Sequence, residues 1–249
     1  MRLHSGAPFW LVADGLEEMG RPDRLPQTCE VVVIGAGITG ALVADALARE
    51  GKEIVVLDRR APACGSTAAS TSLISYEIDV GLVELADMIG EESAVRAYRL
   101  SVGAIDDLER IAGSLPASGF ARKTSLCIAT QRRHRRNLEH EVALRQRHDI
   151  DAEFWTTERV EQTYGFPSHG GLHTRIAGVL DPVRLTRGLL ERAVAHGAIL
   201  MARTAARDVR AGPGGEGLAV TTDRGEVRAR WVVYAMGYEM PPTLRAGLV

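Results

Sequence analysis

Three cysteines in 249 residues, Cys29, Cys64 and Cys127, are odd in number and widely spaced, and none lies in a CxxC pair. That excludes a disulfide framework and a zinc site as sequence expectations, and we read all three as ordinary buried or half-buried thiols. Long apolar runs are missing as well. The longest, such as Ile54 to Leu57 and Trp231 to Met236, fall far short of the ~20 residues a membrane-spanning helix requires, so no transmembrane segment is expected. Charge of one sign is also lacking: 30 Lys and Arg stand against 32 Asp and Glu, a formal net charge of -2, which gives no reason to expect a polyanionic partner. The opening MRLHSGAPFWLVADGLEEMG has no apolar core followed by a small-residue cleavage site, and Asp14, Glu17 and Glu18 come too early for a secretory signal. A cytoplasmic location is the expectation.

The basic run Arg132, Arg133, His134, Arg135 and Arg136 is followed at once by Glu139 and Glu141, the pattern of a solvated helix face, so no nucleic-acid partner is expected. His134, His140 and His148 lack HxxxH or HExxH spacing, and no metal site is expected from them.

What the chain does have is the stretch from Cys29 to Arg60, CEVVVIGAGITGALVADALAREGKEIVVLDRR. A β-branched run from Glu30 to Ile34 feeds, through Gly35-Ala36-Gly37-Ile38-Thr39-Gly40, a segment to Glu50 with the 3.6-residue spacing of a helix. Gly51 closes that helix, and a second apolar strand from Glu53 to Leu57 ends at Asp58. In such a βαβ unit Gly35 permits the tight turn, Gly37 lets backbone approach a pyrophosphate, and Gly40 lets helix pack on strand. The helix N-terminus offers N–H donors to phosphates while Asp58 can accept hydrogen bonds from a ribose diol. The motif points to an ADP moiety without saying which dinucleotide carries it.

The leader Met1 to Thr28, broken by Pro8, Pro22 and Pro26, reads as an arm with an apolar patch at Phe9 to Val12. After Asp58 comes a hydroxyl-rich segment, Gly65-Ser66-Thr67-Ala68-Ala69-Ser70-Thr71, that reads either as a helix start lying against a flat or anionic ligand or as a capped helix in a crowded interior. Glu84 to Ile111 predicts two amphipathic helices broken near Gly90, Lys123 to Thr130 a strand, Gln131 to His148 a helix, and Thr156 to Phe166 a short capped helix. Asp181-Pro182 predicts a helix start, followed by strands at Ile199 to Ala202, Ala206 to Arg210, Leu218 to Thr222 and Glu226 to Arg228. The apolar run Trp231 to Gly237 should finish at a sheet's carboxyl edge.

Taken in register, the glycine pattern from Gly35 through Ala44 to Gly51, Asp58, the segment from Gly65 and the late VVYAMGYE resemble the FAD-dependent oxidoreductases of the D-amino-acid/glycine/sarcosine oxidase superfamily. The resemblance implies FAD as cofactor. It implies that Gly35, Gly37, Ile38, Thr39 and Gly40 hold the pyrophosphate, Asp58 the adenosine ribose and Arg59 the adenine side. Ser66 and Thr67 would lie near the pyrophosphate and the flavin's inner edge, Val209 would offer its backbone to adenine, and Ala235 and Gly237 would pass close to the cofactor. Met236 replaces the threonine usual in that last motif. The implied chemistry is oxidation of a C–N bond in a small-molecule amine or amino acid by hydride transfer to flavin. No catalytic residue is assigned: Tyr76 and Arg122 are conceivable substrate contacts, but the favoured readings are a buried tyrosine with a partnered hydroxyl and a surface arginine. The alternatives are a truncated, non-catalytic FAD-binding remnant and an NAD(P)-dependent dehydrogenase.

The expected fold is α/β, a Rossmann-like doubly wound FAD-binding lobe with an inserted, incomplete α+β substrate lobe. Its expected limits are an arm at 1–28, the FAD-binding lobe at 29–80 and 172–249, the latter reading as truncated, and the insertion at 81–171.

Overall fold

A computed structural model describes residues 6–14, 19, 24–212 and 216–239. In chain order the elements begin α1 (Phe9–Asp14), β1 (Thr28–Ile34), α2 (Ile38–Arg49), β2 (Ile54–Leu57), β3 (Leu73–Ser75), α3 (Leu82–Ile89) and α4 (Glu91–Gly113). They continue β4 (Ala121–Ile128), α5 (Arg132–Arg147), β5 (Glu153–Trp155), α6 (Thr157–Tyr164), β6 (Gly171–Val179) and α7 (Pro182–Ala195). The last are β7 (Ile199–Met201), β8 (Ala206–Ala211), β9 (Leu218–Thr222) and β10 (Gly225–Tyr234). They divide into two compact units, one formed by the described parts of 1–71 and 181–249, the other by Ser72–Leu180.

In the first unit a six-stranded sheet runs β7-β2-β1-β10-β9-β8 among the described residues. β7, β2, β1 and β10 are mutually parallel, and β10, β9 and β8 form an antiparallel meander. Val31 to Ile34 and Ile54 to Leu57 are buried at every position, as expected of parallel strands covered on both faces. Val32, Ile34, Val55, Leu57 and Met201 share one core with Val220, Val227 and Ala229 of the meander. The strands expected separately at 226–228 and from 231 are one continuous strand. β10 pairs antiparallel with β9 from Gly225 to Ala229 and parallel with β1 from Arg228 to Tyr234, a change of partner that leaves no mark in the residue pattern.

α2 packs on β1, β2 and α7 through a small-residue face, with Ala41, Ala44 and Ala48 buried. Asp45, on that same buried side, receives both Nε and Nη2 of Arg192 on α7 at 2.6 and 2.8 Å. Asp181 caps α7, its Oδ1 accepting the Val183 and Arg184 N–H groups at 2.9 Å, with Pro182 in the first turn where a missing N–H costs nothing. The arm forms the short helix α1, whose Trp10 and Leu11 pack on Ala63, Ala68 and Val183 while Phe9 and Val12 stay exposed. Trp10 Nε1 donates to the Ser70 carbonyl at 2.9 Å.

The second unit is built on β6, flanked by β3, β4 and β5, all antiparallel to it. The expected limits at 80 and 172 therefore move to 71 and 181. β3 and β6 pair with each other, which takes 72–80 and 172–180 out of the first unit. The helical stretch is broken at Gly90 as expected, where φ of +87° suits a residue without Cβ. The hydroxyl-rich segment shapes only a single 3-10 turn, Ser66–Ala69, rather than a longer helix. Cys127 is exposed, contrary to its expected burial, because it lies on a solvent-facing position of β4.

A buried ionic group organises this unit. The Glu141 carboxylate accepts the Leu82 and Val83 N–H groups at 2.7 and 2.9 Å and so caps α3 from a distant helix. Arg145, 4 % exposed, donates from Nε to Glu141 at 2.8 Å and from Nη1 to the Tyr76 hydroxyl at 2.8 Å and to Glu77 at 3.1 Å. The Tyr76 hydroxyl in turn donates to the Asp151 carbonyl at 3.0 Å. Burial pushes the neighbouring Tyr98 up to about 12. Tyr76 is thus an interior anchor, and Arg122 pairs with Asp106 and Glu109. Both match the readings favoured from the sequence, a buried tyrosine with a partnered hydroxyl and a surface arginine.

Removing one partner of a buried ion pair leaves the other charge uncompensated. Arg145→Leu is expected to destabilise the chain by about 3–5 kcal/mol, whereas Arg135→Leu, at the exposed pair with Glu139, should cost no more than about 1 kcal/mol; urea unfolding of both variants measures the contrast.

Candidate functional site

β2, β1 and β10 end at one level, because Ile34 is in register with Leu57 on one side and with Tyr234 on the other. The residues that follow, Asp58, Gly35 and Ala235, therefore stand side by side at the carboxyl edge of the parallel strands, where open α/β sheets bind ligands. A cavity of about 380 Å³ opens there. That is at the lower end of the range for small-molecule sites, roughly 300–1,000 Å³.

The turn into α2 is shaped by what glycine leaves out. Gly35 has φ of +115°, and a Cβ on it would come 2.4 Å from the Ala235 carbonyl oxygen. A Cβ on Gly40 would lie 1.8 Å from the Gly35 carbonyl oxygen, a position no real atom can occupy. At Gly37 a Cβ would stand 3.0 Å from Thr67 Oγ1, in the groove between the turn and the 3-10 turn Ser66–Ala69. The Ile38 N–H, at the start of α2, donates to that same Thr67 hydroxyl at 3.0 Å. The N-terminal end of the helix, with its positive partial charge, thus faces the cavity beside a hydroxyl donor.

Asp58 uses two of its roughly four acceptor positions on the protein's own backbone. Its Oδ2 accepts the Ala36 N–H at 2.7 Å and its Oδ1 the Arg60 N–H at 2.8 Å. Burial raises its pKa above the usual 3.8, against the lowering effect of those two N–H groups and of Arg60 and Arg59. Arg60 donates from Nη1 and Nη2 to Glu239 at 3.1 and 3.0 Å, Arg59 also pairs with Glu239, and this holds the Glu239 carboxyl below its usual range.

Of the residues expected at the site, Gly35, Gly37, Ile38, Thr39, Asp58, Arg59, Ser66, Thr67, Ala235 and Gly237 all line this one cavity. Gly40 supports it from behind by its approach to Gly35. Val209 does not line it. In place of Val209 the chain contributes Thr204, Ala205, Ala206 and Arg207, and Val209 sits further along β8 against the sheet core. This follows from three backbone bonds, Asp58 N–H to the Met201 carbonyl at 3.2 Å, Arg203 N–H to Arg60 at 3.1 Å and Thr204 N–H to Asp58 at 2.6 Å, which draw the start of the β7–β8 connection against the end of β2. Sequence reasoning also missed Arg60 and Glu239, and nothing local to either residue signals a partnership across 179 positions.

Residues 30–248 match the protein family described as FAD dependent oxidoreductase. Among curated proteins, the "Probable oxidoreductase OrdL" of Haemophilus influenzae is 26 % identical over 168 residues, 66 % of this chain and 39 % of that protein. Among solved structures, L-proline dehydrogenase from P. horikoshii superimposes with a TM-score of 0.72 at 19 % identity, covering 85 % of this chain and 54 % of that one. Glycine oxidase from Bacillus cereus gives 0.67 at 22 % identity, covering 83 % and 55 %. The structural likenesses speak for the fold, and this chain spans about half the length of those two structures and less of the curated relative.

Two substitutions test the glycine geometry. Gly40→Ala drives a methyl into backbone and is expected to cost at least about 1–3 kcal/mol. Gly103→Ala in α4 meets open space and should stabilise by about 0.5–1 kcal/mol through helix propensity. A titration tests Asp58. With its pKa raised in the folded state, the folded protein binds that proton more tightly than the unfolded chain, a contribution present at acid pH and lost as pH climbs through the raised pKa. Relative to Asp58→Asn, wild-type stability should fall as pH rises from about 4 toward neutrality. A difference that stays flat or rises over that interval refutes the assignment.

Proposed function

We propose, on the premise that this chain belongs to the family of FAD-dependent oxidoreductases, that it serves oxidation of a C–N bond in a small-molecule amine or amino acid. Membership rests on a match that takes in residues 30–248, and the cofactor is FAD. The reading includes a cytoplasmic site of action; among the described residues no helix is long and apolar enough to cross a membrane.

FAD when bound supplies the two-electron acceptor. The chain's own part is binding, orientation and electrostatics. The N–H groups of Gly37 and Thr39 at the start of α2 would hold the pyrophosphate, with Ile38 lining the same turn, its N–H on the Thr67 hydroxyl, and Ser66 and Thr67 beside it as hydroxyl donors. Asp58, with two acceptor positions left, would take the adenosine ribose diol. Arg59 and the stretch Thr204 to Arg207 would flank adenine, while Ala235 and Gly237 let backbone pass close to the cofactor. Gly40 acts indirectly, by allowing α2 its approach.

The observation that carries this reading is the alignment of three strand ends, which sets a glycine-only cradle and a half-used carboxylate on one cavity. Amine or amino-acid oxidation is supported by the resemblance in the glycine, hydroxyl-rich and late Ala-Met-Gly segments. The test is reconstitution of the purified chain with FAD, followed by anaerobic addition of a panel of amines and amino acids. Flavin absorbance that bleaches with one of them is the expected result. Colour that no amine or amino acid bleaches would make the chain a non-catalytic FAD-binding protein, and NADH binding without any colour would reject the proposal.

A further inference from the structure

The segments after β2 and after β10 are tied together across the end of β1. Arg59 and Arg60 follow β2, Glu239 closes the 3-10 turn Gly237–Glu239 that follows β10, and β1 lies between those two strands. Arg60 gives two hydrogen bonds to Glu239, one to each carboxylate oxygen, at 3.1 and 3.0 Å, and Arg59 Nη2 pairs with Oε1. All three residues line the same cavity as Gly35 and Gly37 of the turn after β1. The bridge therefore spans from the end of β2 to the end of β10, with β1 lying between those strands.

We propose that the Arg59–Glu239–Arg60 bridge is a strap that gates this cavity, so that Glu239 sets how fast FAD enters and leaves rather than how tightly it is held. The inference rests on the reading of the cavity as the FAD site. Both oxygens of the Glu239 carboxylate already accept from guanidinium groups, which leaves it little to offer a ligand directly. Its side chain is 14 % exposed against 29 % for Arg60 and 45 % for Arg59, so the pairs are partly solvated. Pairs of that kind are individually weak and can break thermally, as a gate requires. Gly237, with φ of +58° and only Ser66 Oγ near its missing Cβ, lies at the start of the turn that carries the carboxylate. A strap that closes equally over the empty and the filled cavity scales both the entry and the exit of a ligand by the open fraction and leaves its affinity nearly unchanged.

Two measurements on Glu239→Gln decide the matter. In the cofactor-free protein, hydrogen exchange of backbone amides in 58–60 and in 235–239 should quicken together by about tenfold, because opening one end of the strap frees the other. Stopped-flow measurement of FAD fluorescence should show association and dissociation both faster by about tenfold, with the dissociation constant within about threefold of wild type. Unchanged exchange in either segment overturns the strap, whatever ligand the cavity takes. A rise in dissociation rate alone overturns the gate and makes Glu239 a direct contact. Coupled faster exchange in a protein that takes up no FAD overturns the FAD assignment, and the gate with it, while leaving the ion-pair closure itself measured.

Discussion

The architecture of the first unit depends on one close approach, that of α2 to the turn from which it springs. A side chain at Gly40 would have to share space with the Gly35 carbonyl oxygen, and one at Gly35 with the carbonyl of Ala235. Because both are absent, helix, turn and the end of β10 can meet at van der Waals distance, and the first N–H groups of α2 arrive at the sheet edge rather than above it. Ala41, Ala44 and Ala48 continue the same economy of volume along the helix, and the Asp45–Arg192 pair fixes α2 to α7. Dense packing of small side chains in this way is unforgiving, since cores tolerate neither added methyl groups nor shifted backbone at such contacts.

Register does the rest of the positioning. Three parallel strands that finish level present a carboxylate, a glycine turn and a small-residue loop in one row. The charge at that row is met locally: Asp58 accepts two backbone N–H groups, and the two arginines beyond it are met by Glu239. A buried carboxylate would otherwise carry the full cost of desolvation, and that cost is still visible in its raised pKa. FAD hydroxyl groups on the remaining acceptor positions would complete what the backbone begins.

The second unit, taken by itself, solves a different problem. Its antiparallel sheet and helices enclose a core around Tyr76, Leu82, Tyr98 and Ile105, and the ionic centre of Arg145 and Glu141 is enclosed with it. Glu141 serves as a remote cap for α3, and Arg145 joins that cap to Tyr76 and Glu77. From the sequence, Arg145 and Glu141 belong to a solvated basic helix, and most of that helix is indeed exposed. An i to i+4 pair looks the same on paper whether it faces water or the interior.

Local chemistry is what the residue order determined unaided. The strand–turn–helix–strand from Thr28 to Leu57, the break at Gly90, the caps at Thr156 and Asp181 and about half of the cavity lining were legible, because each depends on glycine, capping or alternation acting over a few residues. Folding alone decided the contributions made at long range. The partner change along β10, the lining from Thr204 to Arg207 in place of Val209 and the meeting of Arg59 and Arg60 with Glu239 all arise from strand register and backbone hydrogen bonds between distant segments. Periodicity and propensity describe a residue's immediate neighbours along the chain, and carry no information about which segment a folded sheet will lay beside them.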